Sequence, residues 1–127
     1  MLDLKALLAK ILTRMKSKTY IDVPMSTPTV GTLVVKQCTQ YGDVRNLVLV
    51  VSKSTATAVG ANLFHATVTD ASECPYHVVN GCGYVGSSCC VAQFVGNGDL
   101  SIRVTGAQVA ANTQVYVSLT YIVQGGN

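Results

Sequence analysis

From residue 1 to residue 16 apolar side chains recur at helical spacing. Met1, Leu4, Leu8, Ile11 and Met15 succeed one another at intervals of three, four, three and four, the a and d repeat of a coiled coil. The stretch MLDLKALLAKILTRMK contains no Gly or Pro, and its only β-branched residues are Ile11 and Thr13, so it is predicted to be a helix. Leu7 and Leu12 widen the apolar stripe. Asp3 lies near the helix end where the dipole favours negative charge, and Arg14, Lys16 and Lys18 lie near the end that favours positive charge. A helix this short is marginal alone in water, so it must be held by oligomerisation of the domain C-terminal to it or by docking into a larger assembly. Leu8 at an a position and Ile11 at a d position favour three or four strands over two.

From Thr19 onward the period changes to two. In the last strand Val115, Val117, Leu119, Tyr121 and Val123 alternate with Tyr116, Ser118, Thr120 and Ile122, so one face packs inward. Leu100, Ile102 and Val104 alternate with Ser101 and Arg103 after the turn Gly96-Asn97-Gly98-Asp99, a hairpin signature. Further strands are expected at Tyr20 to Val23, Gly31 to Cys38, Arg45 to Ser52, Leu63 to Val68, Tyr76 to Val79 and Cys89 to Val95. The run Leu47-Val48-Leu49-Val50-Val51 is apolar on both faces, as in a strand covered by the core on one side and by a subunit interface on the other. Short strands at this spacing, with no βαβ alternation, give the expected fold. It is all-β, an antiparallel β-sandwich or jelly roll with a short N-terminal α-helix. Residues 1–18 form the oligomerisation or anchoring helix and residues 19–127 the head domain.

Composition supports this division. The 127 residues suffice for one domain, and 20 Val and 13 Thr against four Ile and no Trp suit a pleated surface. The formal charge of +3 is concentrated: residues 1 to 18 carry five cations and one carboxylate, while the rest carries four cations and five carboxylates. A head with a balance of −1 has no electrostatic footprint for nucleic acid. Lys5 and Lys10 interrupt the N-terminal apolar run and Asp3 precedes it, unlike a secretory leader; no aromatic anchor accompanies it, and no membrane insertion is expected.

The candidate chemistry is sparse. Cys74 and Cys82 are separated by seven residues, and Cys89 and Cys90 are adjacent and so point to opposite faces of a strand; neither spacing fits a zinc site. The five cysteines, with Cys38, read as buried small hydrophobes, and the sharper alternative is a disulfide from Cys74 to Cys82 or Cys89. His65 has no acid or nucleophile at local spacing and reads as an exposed or interface residue. His77 lies in the Tyr-, Gly- and Ser-rich stretch from Tyr76 to Ser88, where Tyr76, His77 and Tyr84 form a candidate ligand-contact loop. Gly81-Cys82-Gly83-Tyr84-Val85-Gly86 resembles a glycine-rich nucleotide loop only superficially, because it opens no helix in this reading. No catalytic, cofactor-binding or metal-binding residue is assigned, and no enzyme activity is expected.

The order of these features resembles the small β-sandwich heads of tailed-bacteriophage fibre, baseplate and head-fibre proteins. The residues that carry the resemblance are the amphipathic helix, Tyr41-Gly42-Asp43-Val44 before a long apolar strand, Thr57 to Phe64, the Pro75 loop, the Gly96 to Ile102 hairpin and the closing Val117 to Val123. The resemblance implies a homotrimeric virion structural protein on the tail, baseplate or capsid surface. Its helix would attach it to other virion proteins, and host cell-surface carbohydrate or protein would be a candidate ligand of its loops. The alternative is a capsid decoration or head-fibre protein without a receptor role.

Overall fold

The computed structural model describes residues 3–16, 19–85 and 88–123, with side chains throughout except at residues 11–16. Helix α1 spans Leu4–Lys16. Asp3 caps it, its Oδ1 accepting from the backbone amides of Lys5 and Ala6 at 3.1 and 3.2 Å, so the residue that suits the dipole also satisfies two of the orphan donors of the first turn.

The remaining elements are strands β1 (Thr19–Ile21), β2 (Thr32–Tyr41), β3 (Val44–Ser52), β4 (Asn62–Thr67), β5 (Val79–Val85), β6 (Ser88–Phe94), β7 (Asp99–Val104) and β8 (Val115–Ile122), with one 3₁₀ turn at Ala71–Glu73. All pair antiparallel in a single curled sheet of order β1-β2-β3-β8-β5-β6-β7-β4. The protein is therefore all-β apart from its helix. Local chemistry sets the hairpins: Gly42, at φ +57°, opens the two-residue turn between β2 and β3. Gly98, at φ +99°, sits in the β6–β7 turn, where Val95 accepts from its amide at 2.9 Å.

The ends of the sheet do not stay apart. The chain between β1 and β2 runs along the outer edge of β4, with bridges Met25 to Val68 and Val30 to His65. Amides of Ser26 and Thr29 donate to the carbonyls of Thr67 and His65 at 2.8 and 2.9 Å. Segment 24–30, kept irregular by Pro24 and Pro28, thus covers an edge that would otherwise be free to pair with another chain.

Alternation places the core as the pattern predicts. Along β8 every residue from Val115 to Ile122 switches between buried and exposed. Leu47, Leu49 and Val51 of β3, Phe94 of β6, Leu100 and Ile102 of β7 and Phe64 of β4 fill the interior. A register shift between Asn62 and Phe64 buries both Leu63 and Phe64. On the far side of β3, Val50 is buried by its own chain, standing between Val35 and Tyr116.

The strand expected at Tyr76 to Val79 is displaced. Residues 76–78 are not strand, and β5 begins at Val79 and runs through the glycine-rich stretch expected to be loop. The inward positions of β5 are Val79, Gly81, Gly83 and Val85, and the two glycines remove the apolar signal that alternation would have shown.

Candidate functional site

The three expected contact residues fall in two places. Tyr76 and His77 follow Pro75, which bridges Val123, and the Tyr76 amide donates to the Ile122 carbonyl at 2.9 Å. The two rings meet edge to face with centroids 4.7 Å apart. With Val79, Thr120, Tyr121 and Ile122 they line an uncharged groove of ≈ 470 Å³. Tyr84 is on β5, paired with Tyr116 near the other end of β8. Six residues of strand separate Tyr116 from Ile122, about 20 Å. The single loop expected from Tyr76 to Ser88 is thus corrected to a groove at one end of the sheet and a cross-strand tyrosine pair at the other.

Behind the groove lies a buried polar cluster that sequence reasoning missed. Arg45 occupies an inward position of β3, opposite Tyr121. Its Nε and Nη2 donate to the two carboxylate oxygens of Glu73 at 2.8 and 3.4 Å, and Nη1 donates to the Gly42 carbonyl at 2.7 Å. The side chains are 8% and 16% exposed. Glu73 ends the 3₁₀ turn, which Asp70 caps by accepting from the Ser72 amide at 3.0 Å. Burial pulls the Arg45 pKa down, but the hydrogen bonds and charge of Glu73 outweigh it and hold the guanidinium charged. The Tyr121 ring packs on Phe94 at 5.1 Å, and its buried hydroxyl lies beside the Cys38 thiol. Burial, reinforced by Cys38 and Glu73, pushes its ionisation far above the usual range.

All five cysteines are free. Cys38, Cys74 and Cys90 are buried, Cys89 is half-buried and Cys82 is exposed. The expected disulfide alternative is contradicted by distance. Cys74 adjoins the Pro75 to Val123 bridge, whereas Cys82 pairs with Ser118, five residues away along β8 and about 16 Å off. Cys89, opposite Tyr84, lies further along the same direction, and a disulfide needs Cα atoms within about 7 Å. Among the described residues no three His, Cys, Asp or Glu side chains come together as a metal site.

Burial raises the pKa of the Cys38, Cys74 and Cys90 thiols. A raised folded pKa favours the protonated native state, so this stability is complete below the unfolded value near 8.5 and is lost as pH climbs past it. Each thiol contributes a slope of up to about 1.4 kcal/mol per pH unit until its folded pKa is reached. Urea midpoints in reductant are expected to hold between pH 7 and 8 and to fall steadily from about pH 8.5. Replacing Cys38 by Ala is expected to flatten that fall.

His65, left without local partners by its sequence, gains two from residues far away in the chain. Its Nε2 meets the carboxylate of Asp99 on β7, and its Nδ1 meets the Thr29 hydroxyl at 2.6 Å. The Thr29 amide also donates to the His65 carbonyl. These bonds clamp segment 24–30 to β4 and β7.

Of the expected oligomerisation stripe, Met1 and the side chains of Ile11 and Met15 lie outside the described residues. Leu4 and Leu8 are described, and they are 69% and 57% exposed. Leu7 beside them is exposed as well. Leu4, Leu7 and Leu8 thus stay in water within a single chain. No family model and no curated protein matches this chain.

Proposed function

We propose that the chain is a structural protein of a tailed-bacteriophage virion. Three copies assemble as a head of fibre or baseplate type, held on the particle by a short bundle of their N-terminal helices. The observation that carries this reading is the Asp3-capped helix with Leu4, Leu7 and Leu8 exposed. An apolar stripe this short needs helices from other chains to persist. In the β head, segment 24–30 covers the outer edge of β4 and keeps it from unspecific pairing, as suits a protein exposed on a particle surface. Host cell-surface carbohydrate is the ligand class suited to the groove of Tyr76 and His77, whose rings, hydroxyl and imidazole groups offer stacking and hydrogen bonds without charge.

The full-length Leu4→Asp/Leu8→Asp variant, supplied during infection in place of the wild type, is expected to fall at least tenfold in purified particles while its melting temperature stays unchanged. Equal incorporation refutes the anchoring role. Gold-labelled antibody should decorate the tail or baseplate. Label confined to the capsid supports the decoration reading, and particles without label refute a virion protein of either kind.

A further inference from the structure

Two surfaces of the sheet differ sharply in chemistry. On β6, β7 and β4 the outward positions include Asp99, Arg103 and His65. Across β2, β3, β8 and β5 the outward positions carry no charge. In register, one row reads Val35, Val50, Tyr116, Tyr84, and the next reads Gln37, Val48, Ser118, Cys82. The charged residues of these strands, Lys36 and Arg45, turn the other way and are paired with Asp22 and Glu73. The same side holds Tyr20, Tyr41, Tyr84 and Tyr116, all of them exposed, whereas Tyr121 on the inward side is buried. Tyr84 and Tyr116, the cross-strand pair, are 69% and 61% exposed.

We infer that this uncharged, tyrosine-rich face of β2, β3, β8 and β5 is the contact surface for a second copy of the same chain. Depletion of charge and enrichment in tyrosine mark the core of protein interfaces. The absence of charge suits a copy in particular. Near a symmetry axis a residue meets itself, so any charge there would face its like, whereas Val, Ser and Tyr do not repel their own kind. The size is adequate. Four strands about 4.8 Å apart and seven to ten residues long cover roughly 19 by 23 to 33 Å in projection, and more as corrugated accessible surface. That approaches the ~800 Å² per partner of a standard interface. This inference rests on the assembled-head reading above but on a different surface from the helix stripe, so the two can fail separately.

The test uses the full chain and measures mass by sedimentation across the micromolar range, with circular dichroism to confirm folding. Ser118→Arg places a charge at the centre of the face, and Gln93→Arg places one on the outward side of β6 as a control. Ser118→Arg is expected to weaken self-association at least tenfold and Gln93→Arg to leave it unchanged. Wild type that stays monomeric overturns both this inference and the trimer. If Ser118→Arg keeps the wild-type mass while Leu4→Asp/Leu8→Asp dissociates, this face is refuted and the helix bundle stands. If only Ser118→Arg dissociates, the face stands without the bundle. A second readout needs no substitution: maleimide labelling of Cys82, located by mass spectrometry, should slow at least tenfold in assembled relative to dilute wild type. Equal rates in the two refute the contact.

Discussion

Arg45→Ala is expected to destabilise the protein by about 3–5 kcal/mol, the usual cost of removing one partner of a buried ion pair. The cost comes chiefly from what is left behind. Glu73 would keep its carboxylate in a site from which water is mostly excluded, with its two charge-assisted donors gone. The Gly42 carbonyl would lose its guanidinium donor at the same time. A net contribution this large is a substantial share of the stability of an ordinary domain, so the variant should unfold at much lower urea concentration, with little change in the slope of the transition. Glu73→Gln should cost less, because the amide oxygen still accepts from Arg45. The Arg45→Met/Glu73→Leu double variant should recover most of the loss, since replacing a whole buried pair by apolar groups is often neutral. Urea titrations of the four proteins followed by circular dichroism check the order. If Arg45→Ala costs under about 1 kcal/mol, the pair behaves like a surface bridge and the cluster does not pin the turn. The same cluster supports the groove: Glu73 precedes Cys74 and Pro75, which set the path of Tyr76 and His77.

The helix, β7 and β8 were legible because each obeys one period over enough residues to be counted, 3.5 in the helix and two in the strands. His65 faces away from Phe64 and Ala66 by the same alternation. What escaped the sequence was whatever joins residues far apart in the chain. Thr29 and Asp99 reach His65 from 36 and 34 residues away, and Arg45 reaches Glu73 across 28. No local spacing carries those pairings. Arg45 also stands in a run where a charge at an inward position breaks the apolar alternation of Leu47, Leu49 and Val51. That break was the one available signal that a buried partner must exist. The separation of Tyr84 from Tyr76 and His77 was lost at β5, where glycine took the inward positions and the stretch read as a turn-rich loop.

Gly83→Ala is therefore a substitution for which two effects predict opposite signs. Glycine loses the most conformational freedom on folding and weakens a strand interior, so alanine at an unstrained strand position should stabilise by about 0.4–1 kcal/mol. Here the strand position is strained by its neighbour. A Cβ at Gly83 would overlap the Tyr116 carbonyl oxygen and stand 3.0 Å from Val117 Cγ2, and one at Gly81 would overlap the Ser118 carbonyl oxygen and stand 2.7 Å from Leu119 Cδ2. Leu119 is buried in the core and Val117 beside it is packed in the same layer, so neither can swing away freely. Backbone oxygens of β8 cannot move without disturbing its pairing with β3 on the other side. Overpacking of this kind costs about 1–3 kcal/mol, more than the entropy gained. Gly83→Ala is expected to lower stability by that amount, and Gly81→Ala/Gly83→Ala by about twice it. Because β5 would be pushed from β8, backbone amides of both strands should also exchange with deuterium faster than those of β3 and β2. A stabilised Gly83→Ala would mean that β5 relaxes away from β8 at no cost. The outward row of Cys82 and Tyr84 would then lack the fixed register with Ser118 and Tyr116 on which a rigid contact face depends.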